Sequence, residues 1–155
     1  MTKNQAEYLG AVESAQNQLR INNMKTPDSY RVLYAEINVD ACLMLEIFLG
    51  FSGIDVLFAH TIGEAFKKAQ AEHFDLYLLG SHFLDGSGSE LFHKLRDLTP
   101  QTSIVFYSGK AYELDKFNGL ADGANAYLVK PEVNAVSETI HRLCKENTSS
   151  VSQSL

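Results

Sequence analysis

The chain has 155 residues, carries 13 Lys+Arg against 19 Asp+Glu, and has a formal net charge of -6. Its 45% hydrophobic content allows one ordinary core and excludes a wholly disordered chain. The acidic balance argues against direct nucleic-acid binding, and no apolar run approaches the ~20 residues of a membrane-spanning helix. The first ten residues lack the apolar block of a signal peptide. We therefore expect a soluble, cytoplasmic, single-domain protein.

The chain divides into an extension at residues 1–30, a domain at 31–146 and a polar, Ser-rich tail at 147–155 that we expect to be flexible. Helical spacing of apolar residues predicts one helix plus a linker in the extension. The residues of this stripe are Tyr8, Val12, Ala15 and Leu19. Such a short helix is marginal alone in water, so it should pack on the domain or pair with a second chain.

Short apolar runs alternate with helical patterns across the domain. The runs that predict strands are Arg31–Ala35, Ile54–Ala59, Phe74–Leu79, Ser103–Tyr107 and Ala126–Val129. The helical patterns are Val39–Leu49, two segments opened by the capping boxes Thr61–Glu64 and Ser87–Glu90, then Glu113–Leu120 and Asn134–Cys144. This alternation predicts an α/β, doubly wound (βα)5 fold with a parallel five-stranded sheet in the order 2-1-3-4-5.

In such sheets, ligands bind beyond the carboxyl ends of the strands, near the switch point between the first and third strands. Four short segments follow the first, third, fourth and fifth strands at that edge. They are Glu36-Ile37-Asn38, Gly80-Ser81-His82, Ser108-Gly109 and Lys130-Pro131. A functional site is therefore expected among these residues.

Three motifs, in order and at matching spacings, make residues 31–145 similar to a known family. They are Gly63-Glu64-Ala65 after Ala59, Asp85-Gly86-Ser87-Gly88, and Val129-Lys130-Pro131 after Gly123–Leu128. The sequence resembles the receiver domain of bacterial two-component response regulators. The resemblance implies a flavodoxin-like fold and a role in signal transduction.

The resemblance also implies where chemistry would occur. In the family, an aspartate ending the third strand accepts a phosphoryl group from a histidine kinase, and an acidic pair after the first strand helps it hold Mg²⁺. Aligned to this pattern, Gly80 stands in the acceptor position, and Glu36-Ile37 replaces the acidic pair. Ser108 and Lys130 keep the two phosphate-contacting positions.

These departures predict a degenerate receiver, or pseudo-receiver, that lacks the phosphoacceptor. Its vestigial pocket comprises Glu36, Ile37, Gly80, Ser108 and Lys130. We expect no catalytic residue, no metal site and no cofactor there. Lys130 either contacts a phosphate or, as we favour, forms an ion pair with Glu36. Ser108 either binds a ligand or, more in keeping with its position, caps its loop.

Other residues also admit two interpretations. Tyr127 aligns with the family's switch aromatic, and it fits equally a half-buried strand tyrosine. We expect His82 to be solvated, Asp85 to form a turn, and Cys42 and Cys144 to be buried free thiols and not a redox pair.

The favoured function is a non-enzymatic, phosphorylation-independent protein–protein interaction module. Because no further domain follows Cys144 in the sequence, we expect output through a signalling partner or self-association. The expected surfaces are the face of the fourth helix, fifth strand and fifth helix, and the N-terminal helix. The alternatives are a pocket that binds a small ligand beside Gly80, and phosphorylation at a displaced carboxylate such as Asp85 or Glu36.

Overall fold

A computed structural model describes residues 7–14, 29–109, 120 and 122–153 of the chain. Five parallel strands form the main sheet, in the order β2-β1-β3-β6-β7, and β4 and β5 form a separate antiparallel hairpin. The strands are β1 Tyr30–Ala35, β2 Ile54–Ala59, β3 Leu76–Leu79, β4 His82–Phe83, β5 Gly86–Ser87, β6 Ser103–Ser108 and β7 Ala126–Val129. Leaving the hairpin aside, this is the predicted strand order.

Helices connect the strands and cover both faces of the sheet. They are α1 at 7–14, α2 Val39–Gly50, α3 Ile62–Ala71, α4 Gly88–Leu98 and α5 Val133–Gln153. Side chains of α3 and α4 pack on one face of the sheet, and those of α2 and α5 pack on the other. Alternate residues of β1 contribute to the two cores. Leu33 belongs to the core under α3 and α4, and Val32 belongs to the core under α2 and α5.

The helix starts follow from local chemistry. The side chain of Thr61 accepts a hydrogen bond from Glu64 N at 3.0 Å, and that of Ser87 accepts one from Glu90 N at 3.2 Å. Both capping interactions were predicted and are confirmed. A third cap, in which Asn38 Oδ1 accepts from Ala41 N at 3.0 Å, fixes the start of α2. This cap places the segment between β1 and α2 at the carboxyl edge of the sheet.

The hairpin of β4 and β5 was not predicted. Leu84 and Asp85 form its turn, and β5 begins at Gly86, whose φ of +152° is a conformation that side chains rarely allow. A Cβ at this position would also lie 2.6 Å from Ile62 Cδ1. Two-residue strands are too short to give a periodic signal, so sequence patterning predicts only a loop here.

Two helices differ from their predicted form. Helix α5 continues past Cys144 to Gln153, into the segment expected to be a tail. Neither Gly nor Pro interrupts it, and Asn147 Nδ2 donates to Ser103 Oγ at 3.0 Å. In α1, Val12 is buried but Tyr8 is 57% exposed, so Tyr8 does not share the buried side of that helix.

Parts of two predictions lie outside the described residues. They are the second half of the predicted N-terminal helix with its linker, and all of the predicted helix Glu113–Leu120 except its last residue. The N-terminal extension therefore stays a prediction. Among the described helices, none is long and apolar enough to cross a membrane.

Candidate functional site

Glu36 is the central side chain of the predicted site. It follows β1 directly and is buried at 5% exposure, although it carries a carboxylate. Asn38 N donates to its Oε2 at 3.1 Å, and the Tyr34 hydroxyl donates to its Oε1 at 3.4 Å. The turn into α2 thus supplies a backbone donor, and β1 supplies a phenol. These partners hold the carboxylate over the carboxyl edge of the sheet.

Lys130 provides the opposite charge. It follows β7, and its Nζ donates to Glu36 Oε1 in a salt bridge. The Lys130 side chain is 24% exposed and that of Glu36 is 6% exposed, so the pair is largely shielded from water. Lys130 N donates to Ser108 O at 2.9 Å, and the Lys130–Pro131 peptide bond is cis. The ion pair favoured from the sequence is therefore present.

Gly80 directly follows β3, which lies between β1 and β7 in the sheet. Its amide donates to Ala35 O at 2.8 Å, which continues the pairing with β1. A Cβ built on Gly80 would lie 3.4 Å from Glu36 Oε1 and 3.6 Å from Glu36 Cδ. The Glu36 carboxylate therefore lies beside the space into which a side chain at residue 80 would project.

The backbone around Gly80 is tightly packed. Gly88 N, at the start of α4, donates to Ser81 O at 2.8 Å. A Cβ on Gly88 would overlap the carbonyl oxygen of Gly80. Glycine at residue 88 is thus required for α4 to approach the end of β3 this closely.

The remaining predicted site residues differ in their burial. Ser108 is buried at the end of β6 and is joined to Lys130 through the backbone. Ile37 is 42% exposed, so it does not help to close the pocket. Tyr127 is buried in the middle of β7, with its ring 5.8 Å from that of Phe106. Four of the five predicted pocket positions therefore meet at one edge, and Ile37 lies at the surface.

Asp85, the suggested substitute phosphoacceptor, instead accepts backbone hydrogen bonds at the start of α3. Its Oδ1 accepts from Ile62 N at 2.9 Å, and its Oδ2 accepts from Gly63 N at 3.0 Å. These backbone hydrogen bonds hold the pKa of the Asp85 carboxyl below its ordinary value. Asp85 thus caps the start of α3 from the hairpin loop, an interaction beyond the local turn that we expected.

One neighbour of the site was missed from the sequence. His60 follows β2, and its Nδ1 lies 2.8 Å from Glu36 O. The rule that directed attention to the ends of the other strands would also have found this residue, because β2 ends at the same edge. His82, in contrast, is exposed on the hairpin, as expected.

Burial makes the ionisable neighbours of Glu36 poor nucleophiles. It raises the pKa of the Cys42 thiol to about 12, and it raises that of the Tyr34 phenol together with the Glu36 charge. Both groups therefore stay protonated near neutral pH. Cys42 Sγ lies 3.8 Å from Glu36 O, whereas Cys144 Sγ lies 3.9 Å from Asp75 O at the opposite edge of the sheet. The two thiols are thus placed too far apart to pair.

The site is a short array of charged and hydroxyl groups at the carboxyl edge of a (βα)5 sheet, which is the architecture of signal-receiver domains. The response regulator receiver domain family matches residues 32–141, and the chain belongs to this family. It is therefore a receiver domain of two-component signalling, with a flavodoxin-like fold.

Several proteins of known type are similar to the chain. The alkaline phosphatase synthesis transcriptional regulatory protein PhoP of Bacillus subtilis is 34% identical over 116 residues, which are 72% of this chain and 48% of PhoP. The autoinducer 1 sensor kinase/phosphatase LuxN of Vibrio harveyi is 31% identical over 110 residues, which are 69% of this chain and 13% of LuxN. The chain thus spans less than half the length of these relatives.

Solved structures agree with this assignment. A receiver domain protein (CheY-like) from Methanospirillum hungatei matches with a TM-score of 0.73 and 28% identity. The match covers 79% of this chain and 98% of that one. The correspondence reaches nearly the whole of a receiver domain and leaves part of this chain outside it.

Proposed function

We propose that this receiver is a pseudo-receiver, a signalling module that acts by protein contact without phosphorylation at the end of β3. The observation that carries the proposal is Gly80. A phosphoryl group would need a nucleophilic carboxylate at that point, and glycine has no side chain. The nearest carboxylate, that of Glu36, is already paired with Lys130.

The scarcity of oxygen ligands for Mg²⁺ at this edge supports the same conclusion. Mg²⁺ binds several hard oxygen ligands in near-octahedral geometry. Glu36 faces Lys130 at this edge, and Ile37 offers no oxygen. Within the described residues, no group of three or more His, Cys, Asp or Glu side chains is placed to share a metal ion. Phosphoryl transfer to this edge would lack its usual electrostatic support.

The alternatives find less support. The Asp85 carboxylate is engaged by two amides of α3, which favours a structural role over phosphate acceptance. Lys130 would have to leave Glu36 before it could bind an anionic ligand beside Gly80. We therefore propose no catalytic residue, no metal and no small-molecule cofactor at this site.

The partner is proposed to be another signalling protein or a second copy of this chain. Two relatives are named as a transcriptional regulator and a sensor kinase/phosphatase, so receivers of this type occur beside different output and input domains. The surface proposed for contact is the face of β7, α5 and the helix predicted at 113–120, or else the N-terminal helix. Nucleic acid is not a direct partner in this proposal, because the chain has a net charge of -6.

The test is intact mass spectrometry after incubation with Mg²⁺ and acetyl phosphate. The parent chain should gain no phosphoryl adduct. A receiver that carries aspartate at the position of Gly80 is the positive control. The Gly80→Asp/Ile37→Asp double variant asks whether restoring two carboxylates restores acceptance. A stoichiometric adduct on the parent would overturn the proposal, and its mapped position would identify the displaced acceptor.

The mode of contact needs a separate measurement. Light scattering over a wide range of protein concentration reports the mass of the chain in solution. A concentration-dependent rise toward twice 17.2 kDa would favour self-association, and a constant monomer mass would favour a partner of another sequence.

A further inference from the structure

We infer that the Glu36–Lys130 ion pair is a cross-sheet tie that holds edge strand β7, and with it Tyr127, in one fixed position. The inference rests on the proposed function and deepens it, because β7 lies in the proposed contact surface. It concerns how that surface is kept in place without a phosphoryl group.

The tie links strands that are not neighbours. Glu36 follows β1 and Lys130 follows β7, and β3 and β6 lie between them in the sheet. Neighbouring strands are ~4.8 Å apart, so the two backbones are separated by roughly 14 Å. Only two long side chains that extend toward each other can bridge this distance. Glutamate at residue 36 supplies one methylene more than aspartate would.

Gly80 leaves space beside the Glu36 end of the bridge. It follows β3, and a Cβ there would be in van der Waals contact with Glu36 Oε1, at 3.4 Å. A larger side chain would project into the space beside the carboxylate. The glycine that removes the acceptor therefore also makes room for the tie.

Strand β7 depends on such an anchor. It has four residues and lies at the edge of the sheet, paired on one side with β6. A short strand with one neighbour has few backbone hydrogen bonds to hold it. Packing of the Tyr127 ring beside Phe106 holds the middle of the strand, and separate contacts hold its two ends.

The start of β7 is held by hydrogen bonds of Asn125, one with a backbone carbonyl and one with the guanidinium of Arg96. Asn125 N donates to Ile104 O at 2.8 Å, and Asn125 Oδ1 accepts from Arg96 Nη2 at 3.2 Å. The second end is held by Lys130, whose amide donates to Ser108 O and whose ammonium group binds Glu36. Tyr127 lies between these two anchors. Loss of the tie should therefore loosen β7 from its Lys130 end.

The test is amide hydrogen exchange measured residue by residue in the parent and in Glu36→Gln. The amide side chain keeps the length of Glu36 and an acceptor for Asn38 N, but it removes the charge. The Lys130 amide should exchange about tenfold faster or more in this variant, whereas the Asn125 amide at the other end of β7 should change much less. The Tyr127 ring signal should also move toward that of an exposed tyrosine.

Two further variants keep the test decisive. Glu72→Gln removes a carboxylate that lies 3.6 Å from Arg31 at the amino edge of the sheet, so it should leave β7 unchanged. Glu36→Asp keeps the charge but shortens the side chain, and it should loosen β7 if reach is the essential property. It also serves as the second route if Glu36→Gln does not fold.

Equal acceleration of the Lys130 and Asn125 amides, or no change in either, would overturn the tie. That result would leave the mass spectrometry unaffected, since absence of an adduct concerns Gly80 and not β7. Conversely, an adduct on the parent would overturn the proposed function even if the exchange pattern were as expected. The two failures are therefore distinguishable.

Discussion

The two edges of the sheet carry ion pairs of different kinds. At the carboxyl edge, Glu36 is buried and Lys130 is partly buried, with side-chain exposures of 6% and 24%. At the amino edge, Arg31 lies 3.7 Å from Asp55 and 3.6 Å from Glu72, and all three side chains are about a third exposed or more. Water screens the second group more than the first, so the presence of opposite charges alone does not indicate how much an ion pair contributes to stability.

The largest effect is expected when the buried pair is broken on one side. Lys130→Met leaves the Glu36 carboxylate buried without its cation, which should lower the free energy of unfolding by ~3–5 kcal/mol. Urea denaturation measures this loss. The Glu36→Gln/Lys130→Met double variant should recover most of it, because no unpaired charge remains. Equal losses in the single and double variants would show that packing, and not charge, is responsible.

A half-buried cation should give an intermediate effect. Arg96 donates to Pro100 O, Thr102 O, Gly123 O and Asn125 Oδ1, and its guanidinium lies 5.3 Å from the centre of the Phe92 ring. Arg96→Met should therefore cost roughly 1–3 kcal/mol of unfolding free energy. Lys94→Met is the matched control on α4, because Lys94 is an exposed residue whose ammonium lies 5.5 Å from the centre of the Phe66 ring. Similar losses in both variants would contradict this role of Arg96.

The exposed cap should give a smaller, pH-dependent effect. Asp85→Ala removes acceptors from Ile62 N and Gly63 N and should lower the Tm modestly at neutral pH. Because the folded pKa of Asp85 lies below its ordinary value of 3.8, the charged cap stabilises the fold above that value. This contribution is lost as pH falls through the lowered pKa.

Thermal melts of the parent and of Asp85→Ala should therefore differ constantly above about pH 5 and converge in stronger acid. Asp97→Ala, on the exposed side of α4, is the control. A difference between parent and variant that grows on acidification would contradict the capping role.

The smallest effect is expected at the amino edge. Glu72→Gln removes one exposed partner of Arg31 and should change the unfolding free energy by about 0.5 kcal/mol or less. Raising the salt concentration should remove even that difference. A loss comparable to that of Lys130→Met would break the contrast between the two edges.

Local patterns predicted much of this architecture. The alternation of strands and helices predicted the sheet order, and the capping boxes at Thr61 and Ser87 predicted two helix starts. Glu36, Gly80, Ser108 and Lys130 were found because each lies at the carboxyl end of a parallel strand, and such ends meet at one edge. The pairing of Lys130 with Glu36 was favoured for the same reason.

Other contacts were not predicted because they do not join the ends of parallel strands, where the strand-end rule applies. Asp85 reaches back to the start of α3, and Arg96 joins α4 to the loop before β7. Helical spacing also placed Tyr8 on the buried stripe, although it is exposed. Hydrophobic periodicity predicts which residues share one side of a helix, but it does not predict how much of that side the rest of the protein covers.

The sequence by itself determined the family, the parallel sheet and the absence of a side chain at the end of β3, because these follow from residue identity and order. Only the tertiary structure decided that Glu36 and Lys130 meet across two intervening strands, that Asp85 caps α3, and that Tyr127 is buried. Those facts depend on distances between residues far apart in the chain, which packing sets and local pattern does not.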